Sequence, residues 1–413
     1  MHRRFKYLGC LAFFGMLALP GLVALVSSSH MRGGMVKHAF FCTCCPHDSL
    51  SRQWLELEKF LERNVGETVL GANAFVSFNG MLHSIMGRRT VFDPRYQYLI
   101  KSDTGYLWHP LRDARSKQEQ IVAEILQLRA ALPPGTPLVV AIAPDKSVLY
   151  DGVSFPAVGS YSTTNLNVFF SLCRREKINC LDLRNVVTSE RDFFRTDHHW
   201  NTEAAFKAYR QIAAWIGDNV SRAIVCDLDI RRFKRRTYPL WFLGSAGRRT
   251  GRWFSGLDDY DLFLPELTAR FQMAAKTNTG RTIVREGSFE DVVLQREQYE
   301  SKDVTCNRYG AYFGRDYASV VVTNGDSPGG RVLLIKDSFA LPVAAFLALS
   351  CRELSFLDIR YYRRFGSINE YAASHAHDVV LLLYNSGMLC DPGMFDFDNS
   401  GAPAGEEQRV QGD

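Results

Sequence analysis

Val332-Leu333-Leu334-Ile335-Lys336-Asp337-Ser338-Phe339 decides the fold. An unbroken apolar run of this length reads as a strand covered on both faces, as in parallel sheets. The chain turns sharply at Lys336-Asp337-Ser338, and Phe339 to Leu349 reads as a helix. Downstream the unit repeats: Leu354 to Ile359 as a strand, Ile368 to Ala376 as a helix, and Val379 to Leu383 as a strand ending at Tyr384-Asn385. Upstream, Asp113 to Leu132 carries Ile121, Val122, Ile125, Leu128 and Leu132 on one stripe, and Pro133-Pro134-Gly135 stops that helix. Pro137 to Ala143 is the next apolar strand, followed by Pro144-Asp145-Lys146-Ser147, a helix over Asn167 to Glu176 and a strand over Asn179 to Leu183. Strands joined through helices of this length imply right-handed crossovers and a parallel sheet with flanking helices, an α/β fold.

The remaining chain reads less regularly. Ala72 to His83 and Tyr96 to Trp108 are expected as short strands, with a hairpin turn at Asp103-Thr104-Gly105. Ser51 to Arg63 has helical spacing. Residues 218–330 are expected as an insertion of small β elements. It holds a basic run (Arg231, Arg232, Lys234, Arg235, Arg236) and the glycine-rich loop Gly244-Ser245-Ala246-Gly247-Arg248-Arg249-Thr250-Gly251, whose spacing is not that of a phosphate-binding Walker loop. The main domain is expected over 51–395, followed by a polar tail over 396–413. At the other end, Arg3, Arg4 and Lys6 precede an uncharged run from Tyr7 to Ser29, long enough to span a bilayer as a helix. The expectation is a transmembrane anchor over 1–29 with a linker over 30–50 and the rest outside the cytoplasm. A cleaved signal segment is the alternative. Net charge is +5 and no nucleic-acid module is visible, which argues against nucleic-acid binding. Cys173 with Cys180, and Cys351 with Cys390, are candidate disulfides in an exported chain.

Chemistry is expected where strands end. Ser338 lies between a buried strand and a helix, at the sheet edge where α/β folds bind ligands. The helix start offers free N–H groups to a developing oxyanion. A helix cap is the structural alternative. Arg195-Thr196-Asp197-His198-His199-Trp200-Asn201-Thr202 sets a carboxylate two residues before an imidazole, at the mouth of a helix that Asn201 or Thr202 caps. Asp197 and His199 on one side of that turn suit a general base and its orienting acid, acting on Ser338. The rivals are packing of adjacent histidines, or a metal site extended by His375 and His377. Asn385 suits a second oxyanion donor or a turn residue. Arg360, Tyr361 and Lys146 are candidates for holding substrate, or for closing the sheet edge and its turns. Serine chemistry of this kind needs neither cofactor nor metal.

Together these residues resemble a known family. Phe193-Phe194-Arg195-Thr196-Asp197-His198-His199-Trp200-Asn201 resembles the signature of DHHW proteins, relatives of the alginate O-acetyltransferases within the SGNH hydrolase-like group. Asp103-Thr104-Gly105-Tyr106-Leu107, Ala143-Pro144-Asp145-Lys146, Gly244 to Gly251, Leu334-Ile335-Lys336-Asp337-Ser338-Phe339, Asp358-Ile359-Arg360-Tyr361-Tyr362 and Leu383-Tyr384-Asn385 follow in the same order. The resemblance spans residues 75–390. It implies a flavodoxin-like SGNH fold and an Asp–His–Ser triad that maps onto Asp197, His199 and Ser338. It also implies acetyl transfer to an exported polysaccharide, often beside a membrane-bound O-acyltransferase, with esterase activity on the same residues. The alternative from another class is a non-catalytic polysaccharide-binding or assembly subunit, with the aromatic and basic residues of 231–260 lining a glycan groove.

Overall fold

The computed structural model describes residues 72–151, 159–221 and 223–398. The membrane or signal segment expected over 1–29, the linker over 30–50, the helix over 51–63 and the tail from residue 399 onward lie outside the described residues. Among the described residues no helix is long and apolar enough to cross a membrane. The chain divides into two units, residues 1–86 and 87–413. In the first, Ala72–Ile85 forms helix α1. This replaces the strand expected from Ala72 to His83, because Phe78, Leu82 and Ile85 recur at helical rather than alternating spacing.

The second unit begins with β1 (Thr90–Asp93), β2 (Gln97–Lys101) and β3 (Leu107–Trp108), a small antiparallel sheet. The expected turn between β2 and β3 closes at Gly105, whose φ of +92° suits glycine. β4 (Leu138–Ala143) and β5 (Asn179–Asp182) follow, then a two-stranded ribbon of β6 (Phe233–Phe242) and β7 (Asp258–Pro265). β8 (Phe271–Lys276), β9 (Thr282–Gly287), β10 (Ser319–Asn324), β11 (Arg331–Lys336), β12 (Glu353–Leu357) and β13 (Val379–Asn385) complete the strands. The central sheet has eight strands in the order β5-β4-β13-β11-β12-β10-β8-β9. β5 through β12 are mutually parallel, while β10, β8 and β9 are antiparallel.

The sheet is therefore mixed, not parallel throughout. Residues 218–330 are only in part an insertion, since they extend the sheet by three strands. The burial patterns give the reason. β4 and β13 are buried at every position, whereas β8 and β10 alternate. A strand covered on one face pairs well in an antiparallel edge.

Helices α2 (Gln118–Ala131), α3 (Ser162–Arg175), α4 (Thr202–Ile216), α5 (Ser245–Thr250), α6 (Leu341–Ser350) and α7 (Ile368–Ser374) surround the sheet. One face packs Val140, Ile142, Leu333 and Leu382 against α2, α3 and α7. The other packs Val139, Ala141, Leu334 and Leu381 against α4 and α6. α6 is buried along its whole length, with Phe346 meeting Phe206, Phe233 and Phe263. The folded unit continues past residue 395, since Phe397 is buried and its carbonyl accepts from Ser367.

Cys173, Cys180, Cys226, Cys306, Cys351 and Cys390 are all free thiols. The two expected disulfides are absent among the described residues. Cys173 and Cys180 are hydrogen-bonded neighbours. Cys351 packs in the core on the α4/α6 face, whereas the Cys390 thiol meets Arg112 and Asn165 beside α3.

Candidate active site

The corner after β11 presents Ser338. Asp337 caps it: its Oδ1 accepts from the Phe339 N–H (2.9 Å) and its Oδ2 from the Asn385 N–H (2.8 Å). One carboxylate thus starts the turn Ser338–Ala340 and ties it to the end of β13. Burial pushes the Asp337 carboxyl up to about 6. Pro342 stands in the first turn of α6, where its missing N–H is no loss. Ser338 itself is half-buried, and its N–H donates to no acceptor among the described residues.

His199 reaches this serine from the segment before α4. Its Nε2 lies 2.9 Å from Ser338 Oγ, and its Nδ1 lies 2.6 Å from Asp197 Oδ1. With Nδ1–H given to Asp197, Nε2 is left to accept the serine proton, an assignment made from the hydrogen-bond pattern. Asp197 Oδ1 also accepts from the His199 N–H (3.0 Å), and Oδ2 from the Ser245 N–H at the start of α5 (2.6 Å). Burial alone would raise this carboxyl. The His199 and His198 imidazoles and the hydrogen bonds from His199 and Ser245 outweigh it and hold Asp197 well below the usual carboxylate range. Asn201 caps α4 by accepting from the Ala204 N–H (3.0 Å), which fixes where the histidine segment enters the helix.

The imidazole is walled on both sides. The Tyr309 ring stacks on His199 at 3.7 Å between centroids, and His198 lies at 3.8 Å on another side. Tyr309 Oη and Trp200 Nε1 both donate to the Phe339 carbonyl, at 2.8 and 3.0 Å, so the wall is tied to the serine turn. Burial and the neighbouring His199 hold His198 well below the ordinary histidine range, and its Nδ1 lies 2.9 Å from Ser245 Oγ. Asp197, His198 and His199 offer ligand atoms within 4.8 Å of one another, a set able to hold a metal ion. Both Asp197 oxygens already accept hydrogen bonds, so the geometry favours the hydrogen-bonded arrangement.

The other candidates fare differently. Lys146 does not face a substrate. It is 1% exposed, and its ammonium donates to the carbonyls of Leu107, Phe194 and Asp197. Arg360 lies past β12 in a short helical turn, where Asp358 (2.5 Å) and Asp316 (3.0 Å) share its guanidinium. Lys336 contacts the same two carboxylates at 3.3 and 2.6 Å, closing a buried ring of alternating charge below the serine corner. Arg360 is thus neutralised within the fold, with half-buried Tyr361 beside it. Asn385 stands at the end of β13 beside the Asp337–Ser338 turn, but its side-chain oxygen accepts from the Gly387 N–H (2.6 Å). That is the turn role; only its amide nitrogen remains to face a ligand. In the basic run, Arg231 pairs with Asp229, Arg235 with Asp261 and Arg236 with Glu300.

Tyr309 and Asp258 escape sequence reasoning; the Gly244–Gly251 segment is singled out there, but its contact with Asp197 through α5 is not. The visible trace of α5 is its glycine pattern. A Cβ at Gly244 would lie 2.3 Å from the Asp197 Cβ, and one at Gly247 would lie 2.5 Å from a Leu243 methyl and 2.9 Å from the Thr196 Cβ. The glycines let backbone pack directly on the acid-bearing turn.

Residues 106–236 match the family model described as the SGNH hydrolase-like domain of the acetyltransferase AlgX. Among solved structures, Bacillus cereus PatB1 with a sulfonyl adduct shares the fold at a TM-score of 0.59 and 22% identity, over 73% of this chain and 97% of that one. A DHHW family protein from Eubacterium siraeum does so at 0.58 and 14%, over 76% and 98%. No curated protein matches the chain in sequence. The resemblance to DHHW and SGNH hydrolase-like proteins read from the sequence thus holds at the level of the domain and fold.

Proposed function

We propose that this SGNH hydrolase-like chain is a serine-dependent O-acetyltransferase or acetylesterase acting on a cell-surface or exported polysaccharide. The observation that carries the reading is the unbroken hydrogen-bond path Asp197–His199–Ser338. Its match to the AlgX acetyltransferase domain favours acetyl as the group carried.

Ser338 Oγ attacks the acetyl carbonyl while His199 Nε2 takes its proton. Asp197 holds the Nδ1–H and stabilises the imidazolium that forms. The oxygen of the tetrahedral intermediate takes the Ser338 N–H, with the Asn385 amide as second donor. The carbonyl–donor bond then breaks, and His199 returns the proton to the leaving group. In the second half a sugar hydroxyl or water gives its proton to His199 and attacks the acetyl-serine, and Ser338 leaves with that proton. A sugar makes the protein a transferase and water makes it an esterase. The apolar run in 1–29 supports a membrane anchor with the domain outside the cytoplasm, where a membrane-bound O-acyltransferase would supply acetyl groups.

Intact mass after incubation with an activated acetyl ester tests the reading. One added acetyl group on the wild type and none on Ser338→Ala is the expected result. Equal turnover in both would remove Ser338 as nucleophile, and glycan binding without any adduct would favour a binding subunit. Release of acetate against acetylated oligosaccharide then separates esterase from transferase.

A further inference from the structure

The segment that carries Asp197 is gripped by two buried charges of opposite sign. From one side, Lys146 Nζ donates to the carbonyl oxygens of Phe194 (2.5 Å) and Asp197 (2.6 Å), and to that of Leu107 at the start of β3 (2.8 Å). From the other, Asp258 at the start of β7 accepts from the N–H groups of Arg195 (2.6 Å) and Thr196 (2.8 Å) and from Thr196 Oγ1 (2.5 Å). The cation takes carbonyl ends and the anion takes N–H ends, each the sign that a peptide dipole presents. Residues 194–197 belong to neither a helix nor a strand. Their course is set by these contacts, by the packing of α5, and by two backbone hydrogen bonds, from the Leu107 N–H to the Arg195 carbonyl (2.8 Å) and from the Phe194 N–H to the His199 carbonyl (3.2 Å).

We propose that Lys146 and Asp258 are positioning residues for Asp197: by holding the backbone of 194–197 between them, they set the direction in which its carboxylate meets His199. The inference rests on the triad reading above. It assigns a task to a lysine that reaches no substrate, and to an aspartate that nothing else in the mechanism uses.

Charge on Lys146 is essential to the grip. An ammonium has a proton for each of three carbonyls; a neutral amine has two and turns a lone pair toward the third. The charged and titratable groups facing it are Asp258 from β7, Asp197, Asp145 on its own turn, Glu190 before the histidine segment, and His109 beyond β3. The rings of Tyr106 and Phe193 lie 5.7 and 5.9 Å from Nζ. Burial outweighs the carboxylates and pushes the ammonium down to about 8 from 10.5. Between those values the unfolded chain binds the proton and the folded one does not, so this group makes stability rise with pH. The grip on Asp197 weakens over the same window. Fold stability and Ser338 reactivity therefore diverge above about pH 8, which a purely structural lysine would not cause.

The test uses the full chain with phenylmethylsulfonyl fluoride as probe. Ser338 Oγ bonds to sulfur, fluoride leaves and His199 takes the serine proton. The labelling rate is followed by intact mass across pH, alongside the melting temperature and amide hydrogen exchange over 190–205. Lys146→Met should label slower by on the order of 10²-fold, the loss expected from an ångström-scale displacement of a reacting group. It should also speed exchange at Arg195 and Thr196, and Asp258→Asn should do the same more weakly. The wild-type rate should fall above about pH 8 with no parallel fall in melting temperature. If Lys146→Met does not fold, Asp258→Asn and the wild-type pH divergence decide. Wild-type labelling and exchange in a folded variant would overturn the clamp alone. A wild type that never labels would overturn the triad reading, and the clamp's purpose with it.

Discussion

The two halves of the central sheet follow different rules. β4, β13, β11 and β12 run parallel and are covered on both faces, with β5 as a more exposed parallel edge; β10, β8 and β9 run antiparallel and alternate. Every site candidate lies past or at the carboxyl end of a parallel strand: Lys146 after β4, Asp197 and His199 after β5, Ser338 after β11, Arg360 after β12 and Asn385 at the end of β13. The strands β8, β9 and β10 carry none. Yet the connection from β9 to β10 reaches back to the serine corner with Tyr309 against His199 and Asp316 in the charged ring. The parallel half places the chemistry, and the antiparallel half sends the support that holds it.

Substitutions can break or sharpen that contrast. The largest effect is expected from Asp197→Asn, which keeps the shape but loses the acceptor that sets the His199 tautomer; ester turnover should fall about 10⁴-fold. Unchanged kcat would separate Asp197 from the triad. Next comes Asp316→Ala, which leaves Lys336 and Arg360 sharing one carboxylate; chemical denaturation should show a loss of about 3–5 kcal/mol. Leu381→Ala in the parallel core should cost about 2–5 kcal/mol by the same measurement. Val284→Ala on β9, where the side chain is 74% exposed, should stay within about 0.5 kcal/mol. Tyr309→Phe keeps the ring on His199 but loses the bond to the Phe339 carbonyl, at a cost of about 1 kcal/mol in stability. A larger fall in kcat than that bond explains would show that the antiparallel half acts on the chemistry directly.

A further expected effect is one of pH. Asp337 is raised from 3.8 to about 6 by burial, so within that window the folded chain holds a proton that the unfolded chain releases. Its contribution to stability is complete below about pH 4 and is lost as pH rises through about 6. Melting temperatures of wild type and Asp337→Asn across this window should differ in slope in that sense. Parallel curves would show that the carboxyl ionises without cost.

These halves also differ in how far they could be read in advance. Runs such as Val332–Ile335 and Val379–Leu383 read as strands because they are short and rich in Val, Ile and Leu, whereas the longer, alanine-rich apolar run Leu341–Leu349 is a buried helix. The alternation in Phe271–Met273 and the three valines of Val320–Val322 suit a sheet extension and a separate small sheet alike, so local pattern cannot say which strand they join. At the site, Asp197, His199 and Ser338 show through their spacing and their places at strand ends. Lys146 holds an equally suggestive place, yet its side chain turns inward to three carbonyls, a choice that depends on Phe194 and Leu107 arriving from other segments. Tyr309 leaves no trace, since an aromatic in the four-residue 3-10 turn Arg308–Ala311 has no period to betray its partner.

His199 and Ser338 are 139 residues apart, with the antiparallel half between them. On a ribosome Asp197 and His199 are made early and Ser338, the proposed nucleophile, late, just after the strand that then sits at the middle of the sheet. A nascent chain that stops before β11 has a base with nothing to activate. On the proposed mechanism, no incomplete chain of that kind can be trapped as an acyl-enzyme. The contact that completes the site is also a long-range one, of the class that closes slowly in folding. Gain of Ser338 reactivity during refolding should therefore report the arrival of β11 between β12 and β13 rather than the formation of any helix.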